Sequence, residues 1–289
     1  MSVFLDSELT QAERDPASAR FVVIPVPLER TVSYGSGTAN GPAAIIAASD
    51  ELERICLIGD VVREPCAEGI STEAPVDCSG PLPEVMARIA ARTEAAVRAG
   101  KVPVTLGGEH SLSYGAVTGV AAALGEPLAI VQIDAHADLR DAYQGERHSH
   151  ASVMHLLANE GVRLAQFGVR ALCREEMDSR MKHRVFHVDA EALVTDGLHA
   201  VDLPDDFPRD VYVSFDVDGL DPSLMPATGT PVPGGLGFHQ ALHLVEHALA
   251  GRRLVGLDVV ELAPDGNAAW DFTAAQITYR LMASAPAGE

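Results

Sequence analysis

Two apolar, β-rich runs in this chain each end in a spaced set of metal-competent side chains, and that pairing limits the folds open to it. Leu128-Ala129-Ile130-Val131-Gln132-Ile133 leads into Asp134-Ala135-His136-Ala137-Asp138, and Val211-Tyr212-Val213 leads into Ser214-Phe215-Asp216-Val217-Asp218. In extended chain alternate side chains point the same way, so Asp134, His136 and Asp138 share one side, as do Asp216 and Asp218. Reactive groups at strand ends call for an architecture that gathers those ends on one edge.

A parallel sheet does so. Strands are predicted near 21–26, 102–106, 128–133, 164–169, 185–188, 211–213 and 254–260. Helical patterns fall between them, near 42–48, 83–99, up to 124, 152–159, 173–182, 239–249 and 272–282. Nearly continuous apolar strands in β-α alternation predict an α/β fold, a mostly parallel sheet covered by helices on both faces. The stretch 48–83 shows no assignable pattern and is expected at the edge. With 289 residues and 47% hydrophobic content, one domain over 1–289 is expected.

On that architecture His110, in Gly107-Gly108-Glu109-His110-Ser111, follows one strand, and Glu261 closes the run 254–260. Open parallel sheets bind ligands at the carboxyl ends of their strands. Two imidazoles (His110, His136) and four carboxylates (Asp134, Asp138, Asp216, Asp218), without a thiolate, suit a divalent ion such as Mn²⁺ better than structural zinc. Six ligands exceed one four-coordinate ion. A pair of ions roughly 3.5 Å apart, bridged by two carboxylates, accommodates them.

The rest of the composition narrows the partners. A formal net charge of −20 and a pI near 4.8 argue against nucleic acid or an anionic membrane surface, and are compatible with a cationic ligand or with solubility alone. No basic, apolar leader opens the sequence and no run reaches spanning length, so a soluble, cytoplasmic protein is expected. Cys56, Cys66, Cys78 and Cys173 form no C-x-x-C pair and are read as reduced thiols. The loop Tyr34-Gly35-Ser36-Gly37-Thr38 lacks the Gly-Lys-Ser/Thr of a phosphate-binding loop.

Taken together, Gly107–Ser111, Asp134–Asp138, Ser214-Phe215-Asp216-Val217-Asp218-Gly219-Leu220-Asp221-Pro222, Thr228-Gly229-Thr230-Pro231 and Asp258-Val259-Val260-Glu261 resemble the signatures of the ureohydrolases, the arginase and agmatinase family. The motifs occur in family order across roughly residues 20–285. The resemblance implies a three-layer α/β/α arginase-like fold and a pair of manganese ions per chain. His110, Asp134, Asp138 and Asp216 would hold one ion, and Asp134, His136, Asp216 and Asp218 the other. It further implies Glu261 as guanidinium binder, Thr230 as a substrate contact, Asp138 as a proton relay and His150 as proton shuttle or substrate contact, His148 being the competing histidine. Glu109 stands where many members have Asp. Homotrimers or homohexamers are common in the family.

The same resemblance bears on substrate. Arginases use an Asn after the third acid to bind the amino-acid head group; this chain has Arg140, and Ser149-His150-Ala151 is closer to agmatinases. Agmatine, cleaved to putrescine and urea in polyamine biosynthesis, is favoured. Aminopropylagmatine follows, then guanidinobutyrate, arginine and formimidoylglutamate. Two other classes fit the sequence less well. A binuclear phosphoesterase needs Gly-Asp-x-x-Asp and Gly-Asn-His, and neither occurs; a catalytically silent relative would be expected to have lost a ligand.

Overall fold

The computed structural model describes residues 2–285; Met1 and 286–289, which the expected domain includes, lie outside the described residues. Within them ten strands and eight α-helices alternate. β1 (Phe21–Val26) leads to α1 (Gly41–Ala48), a hairpin of β2 (Cys56–Ile58) and β3 (Val61–Arg63), and β4 (Ile70–Thr72). Then come α2 (Leu82–Arg98), β5 (Val102–Gly107), α3 (Leu112–Leu124), β6 (Leu128–Ile133), α4 (Val153–Asn159), β7 (Arg163–Phe167) and α5 (Arg174–His183). The chain continues through β8 (Phe186–Val188), α6 (Ala190–Thr195), β9 (Asp210–Asp216), α7 (Phe238–Ala248), β10 (Arg253–Val260) and α8 (Ala268–Ala283).

Eight strands form one sheet in the order β4-β1-β5-β10-β9-β6-β7-β8, and every pairing in it is parallel. Alternation sends successive side chains to opposite faces, which is why both faces need cover. In β6, Ala129, Val131 and Ile133 join the core beneath α1, α7 and α8, whereas Leu128 and Ile130 join the core beneath α2, α3 and α4. The three-layer α/β/α expectation is met. In β10 the register shifts between Leu254 and Gly256, and a Cβ on Gly256 would meet the Tyr212 ring at 2.8 Å.

The predicted strands and helices fall within a few residues of those observed, with two differences. The stretch 48–83 does contain structure: β4 extends the main sheet beyond β1, and β2 pairs antiparallel with β3. Three-residue strands with little alternation give too short a pattern to read. Helix α6 was also not foreseen.

Candidate metal centre

Four neighbouring strands, β5, β10, β9 and β6, end on one edge, and each delivers a predicted site residue there. His110 follows β5, Glu261 follows β10, Asp216 ends β9 and Asp134 follows β6. Two glycines let the ligand-bearing turns close up. A Cβ on Gly108 would sit 1.9 Å from the Leu28 carbonyl, and one on Gly219 would sit 2.9 Å from the Asp134 amide.

His110 is buried, and its Nδ1 lies 3.0 Å from Asp138 Oδ2, 3.1 Å from Asp134 Oδ2 and 3.3 Å from Asp216 Oδ2. That nitrogen has no hydrogen-bond partner. The far side of the ring explains its state. Tyr212 Oη and Ser214 Oγ donate to Asp258 at 2.9 and 2.8 Å, so Ser214 Oγ is left to accept from His110 Nε2–H at 2.8 Å. Nδ1 is then a bare lone pair aimed at three carboxylate oxygens. Such an array needs a positive charge between its members, either a proton or a metal ion.

His136 repeats the pattern, with Nδ1 at 3.0 Å from Asp218 Oδ2 and 3.6 Å from Asp134 Oδ1. Two groups able to hold an ion result, His110 with Asp134 and Asp216, and Asp134 with His136 and Asp218; Asp134 belongs to both. Asp138 joins the first through its approach to His110. All six predicted ligands are thus brought together, and a donor set of imidazole nitrogen and carboxylate oxygen fits a divalent ion.

The backbone orients these carboxylates. Asp134 Oδ1 accepts the His136 N–H at 2.6 Å and its Oδ2 accepts Gln132 Nε2–H at 2.7 Å. Asp218 Oδ1 accepts the Ala135 N–H at 3.0 Å, tying the β9 turn to the β6 turn. Asp138 and Glu261 hold left-handed backbone, φ 52° and 65°. Non-glycine residues in that region cost about 1 kcal/mol or more each, and such conformations cluster at functional sites.

Without metal, protons take up the crowding. Burial, then the charge of Asp134, pushes Asp138 up to about 7; burial, then Asp218 and Asp134, raises Asp216 well above the carboxylate range. Burial opposes charging of His136, but hydrogen bonding to Asp134 and Asp218 outweighs it and raises the imidazole to about 12. Burial likewise dominates at Glu261, raised to about 8.

A cavity of about 410 Å³ opens over His136 and Asp138, lined also by Arg140, Tyr143, His150 and Thr230. Thr230 Oγ1 donates to Asp218 Oδ2 at 3.4 Å. Glu261 is 8% exposed, and its Oε1 accepts the His110 N–H at 2.6 Å. His148 packs edge-on against Tyr114, ring centroids 5.2 Å apart, whereas His150 is one of the cavity's lining residues. Sequence reasoning assigned no role to Ser214, Asp258, Gln132 or Arg170. Asp258 carried a signal, an acid in the middle of an apolar strand, since a buried acid needs partners. Arg170 carried none: its guanidinium donates to the carbonyls of Gly168, Asp218, Leu220 and Val232, partners that only the folded loops supply.

Comparison with known proteins agrees with this geometry. The chain is 40% identical over 266 residues to N(1)-aminopropylagmatine ureohydrolase of Thermus thermophilus, covering 91% of this chain and 89% of the relative. It is 35% identical over 275 residues to agmatinase of Pyrococcus horikoshii, covering 93% of each. The solved agmatine ureohydrolase of Thermoplasma volcanium superposes with a TM-score of 0.80 at 27% identity, over 98% of this chain and 94% of that one. The family model described as the arginase family matches residues 19–284. A strand-edge cluster of two histidines and four aspartates, set in a matching fold and followed through nearly the whole sequence, makes this chain a hydrolytic enzyme of the arginase family, a ureohydrolase.

Proposed function

We propose that this ureohydrolase, a single domain, acts on a guanidino-amine, N(1)-aminopropylagmatine ahead of agmatine, releasing urea and the free polyamine. The observation that carries the reading is His110 Nδ1, buried and without a hydrogen bond, facing three aspartate oxygens of which Asp134 is shared with His136. Two Mn²⁺ ions are the proposed metals, held by His110, Asp134, Asp138 and Asp216 and by Asp134, His136, Asp216 and Asp218. Bound there, the ions would supply Lewis acidity that makes hydroxide available near neutral pH.

The chain's own residues do the remainder. Glu261 keeps one carboxylate oxygen on the His110 amide, leaving the other to pair with the guanidinium and set its carbon at the cluster. Thr230 lines the approach. Water adds to the guanidinium carbon, the bond from that carbon to the alkyl-bearing nitrogen breaks, and the departing amine takes a proton, with His150 as donor and Asp138 as relay. The identity of the relatives at 40% supports the aminopropyl substrate. A second reading, a guanidino acid such as guanidinobutyrate, is favoured by Arg140, whose guanidinium stands at the cavity and over the Tyr143 ring at 5.7 Å.

The test is urea release by the manganese-loaded protein from a panel of aminopropylagmatine, agmatine, guanidinobutyrate and arginine. Preference for guanidinobutyrate would move the assignment to the second reading, and preference for arginine would overturn both. Among the described residues no helix is long and apolar enough to cross a membrane. The proposal includes a cytoplasmic homotrimer or homohexamer, checked by sedimentation.

A further inference from the structure

The loop leaving β1 carries none of the ligand motifs, yet it reaches the active-site histidine. Glu109, fully buried next to His110, receives four donors. The amides of Arg30 and Thr31 donate to its Oε2 at 2.5 and 2.6 Å, and the hydroxyls of Thr31 and Ser111 donate to its Oε1 at 2.9 and 2.5 Å. With two donors on each oxygen, that carboxylate is an acceptor throughout. The single hydroxyl proton of Thr31 therefore points at Glu109.

Both lone pairs of Thr31 Oγ1 are then acceptors. One takes the backbone N–H of His150 at 3.0 Å, and the other faces His150 Nδ1 at 3.1 Å. A hydroxyl whose proton is already committed can pair with a ring nitrogen only if that nitrogen carries the hydrogen. We propose that Thr31, held by Glu109, is a positioning residue that fixes neutral His150 as the Nδ1–H tautomer, so that Nε2 is the nitrogen that exchanges the catalytic proton. The inference rests on His150 being the proton donor proposed above.

In the step itself, the Nε2–H bond of the imidazolium breaks and its proton goes to the leaving nitrogen. That nitrogen keeps the electron pair of the broken C–N bond. The ring is left neutral with its hydrogen on Nδ1, still bonded to Thr31, and solvent water returns a proton to Nε2. The Tyr143 ring also packs on His150 edge-on, centroids 5.3 Å apart, but an edge contact of this kind does not choose between the two nitrogens. Burial holds the imidazole below its ordinary range, which keeps the neutral ring, the form in which a tautomer is defined, populated.

Two measurements test this. In histidine-¹⁵N-labelled protein loaded with diamagnetic Mg²⁺, long-range ¹H–¹⁵N spectra should show His150 protonated on Nδ1, its signals identified by their loss in His150→Asn; an Nε2–H ring in the wild type overturns the inference. In the manganese-loaded enzyme, Thr31→Val should lower kcat by about tenfold to a hundredfold with KM changed by less than about threefold, and Thr31→Ser should restore kcat to within about threefold. An unchanged kcat in Thr31→Val, or no rescue by serine, likewise overturns it. Full activity in His150→Asn would instead remove His150 from the mechanism, a failure of the proposed function that the spectra report separately from the tautomer.

Discussion

Glu261 Oε1 accepts the backbone N–H of His110 at 2.6 Å, so the end of β10 is fastened to the end of β5 through the carboxylate proposed to bind substrate. A glutamine can keep that bond through its amide oxygen while losing the charge. Glu261→Gln should therefore fold and load metal normally, yet lose about a hundredfold or more in kcat/KM, roughly 3 kcal/mol of transition-state stabilisation. Steady-state urea assays decide it; a loss below tenfold would mean that the charge of Glu261 does not meet the guanidinium.

Asp134 belongs to both clusters of metal-competent groups and, with Asp216, is proposed as a ligand to both ions. Protein purified with excess Mn²⁺ should carry about two ions per chain, Asp134→Ala about none and His136→Ala about one. Elemental analysis reads this directly. One zinc per chain, unaffected by Asp134→Ala, would rule out the paired site.

Removing metal should change how stability responds to pH. In the chelated protein Asp138 sits at about 7, Glu261 at about 8 and His136 at about 12, each raised above its unfolded value. A raised folded value contributes stability that is complete below the unfolded value and is lost as pH climbs through the folded one. All three therefore weaken the chelated fold as pH rises from about 5 to about 8, whereas ions that must displace those protons bind better over the same range. His150 and His183, both lowered by burial, work in the opposite direction but in both forms, so they largely cancel in the comparison. The gap in Tm between manganese-loaded and chelated protein should widen from about pH 5 to about pH 8, and a gap that narrows would contradict the cluster.

Asp258 touches no proposed ligand, yet through Ser214 it dictates which nitrogen of His110 is bare. Asp258→Asn should weaken manganese binding by about tenfold to a hundredfold. Titration followed by electron paramagnetic resonance of free Mn²⁺ measures it, and an affinity equal to wild type would show that the ring is oriented by its surroundings alone.

The ligands were legible because strand chemistry is local: an apolar run fixes the extended backbone, and period-two spacing then places Asp134, His136 and Asp138 on one side. What held those ligands in place was not. Ser214 and Asp258 act only because β9 and β10 lie side by side, and Glu109 acts on Thr31, 78 positions earlier, only because β1 and β5 are parallel neighbours whose following loops meet. The strand β4 escaped notice for a different reason, since three residues at a sheet edge bury too little to impose a pattern.

The order of the sheet has a consequence for biosynthesis. β9 and β10 are the last strands of the chain to be made, yet they sit between β5 and β6, inside the sheet. A ribosome-bound chain that has emerged only through β7 holds His110, Asp134, His136 and Asp138 but lacks Asp216, Asp218 and Glu261, so one of the two metal groups lacks Asp216 and the other lacks Asp218. Because the non-local contacts that insert β10 between its neighbours form late, tight retention of both proposed ions should be confined to chains whose synthesis is finished.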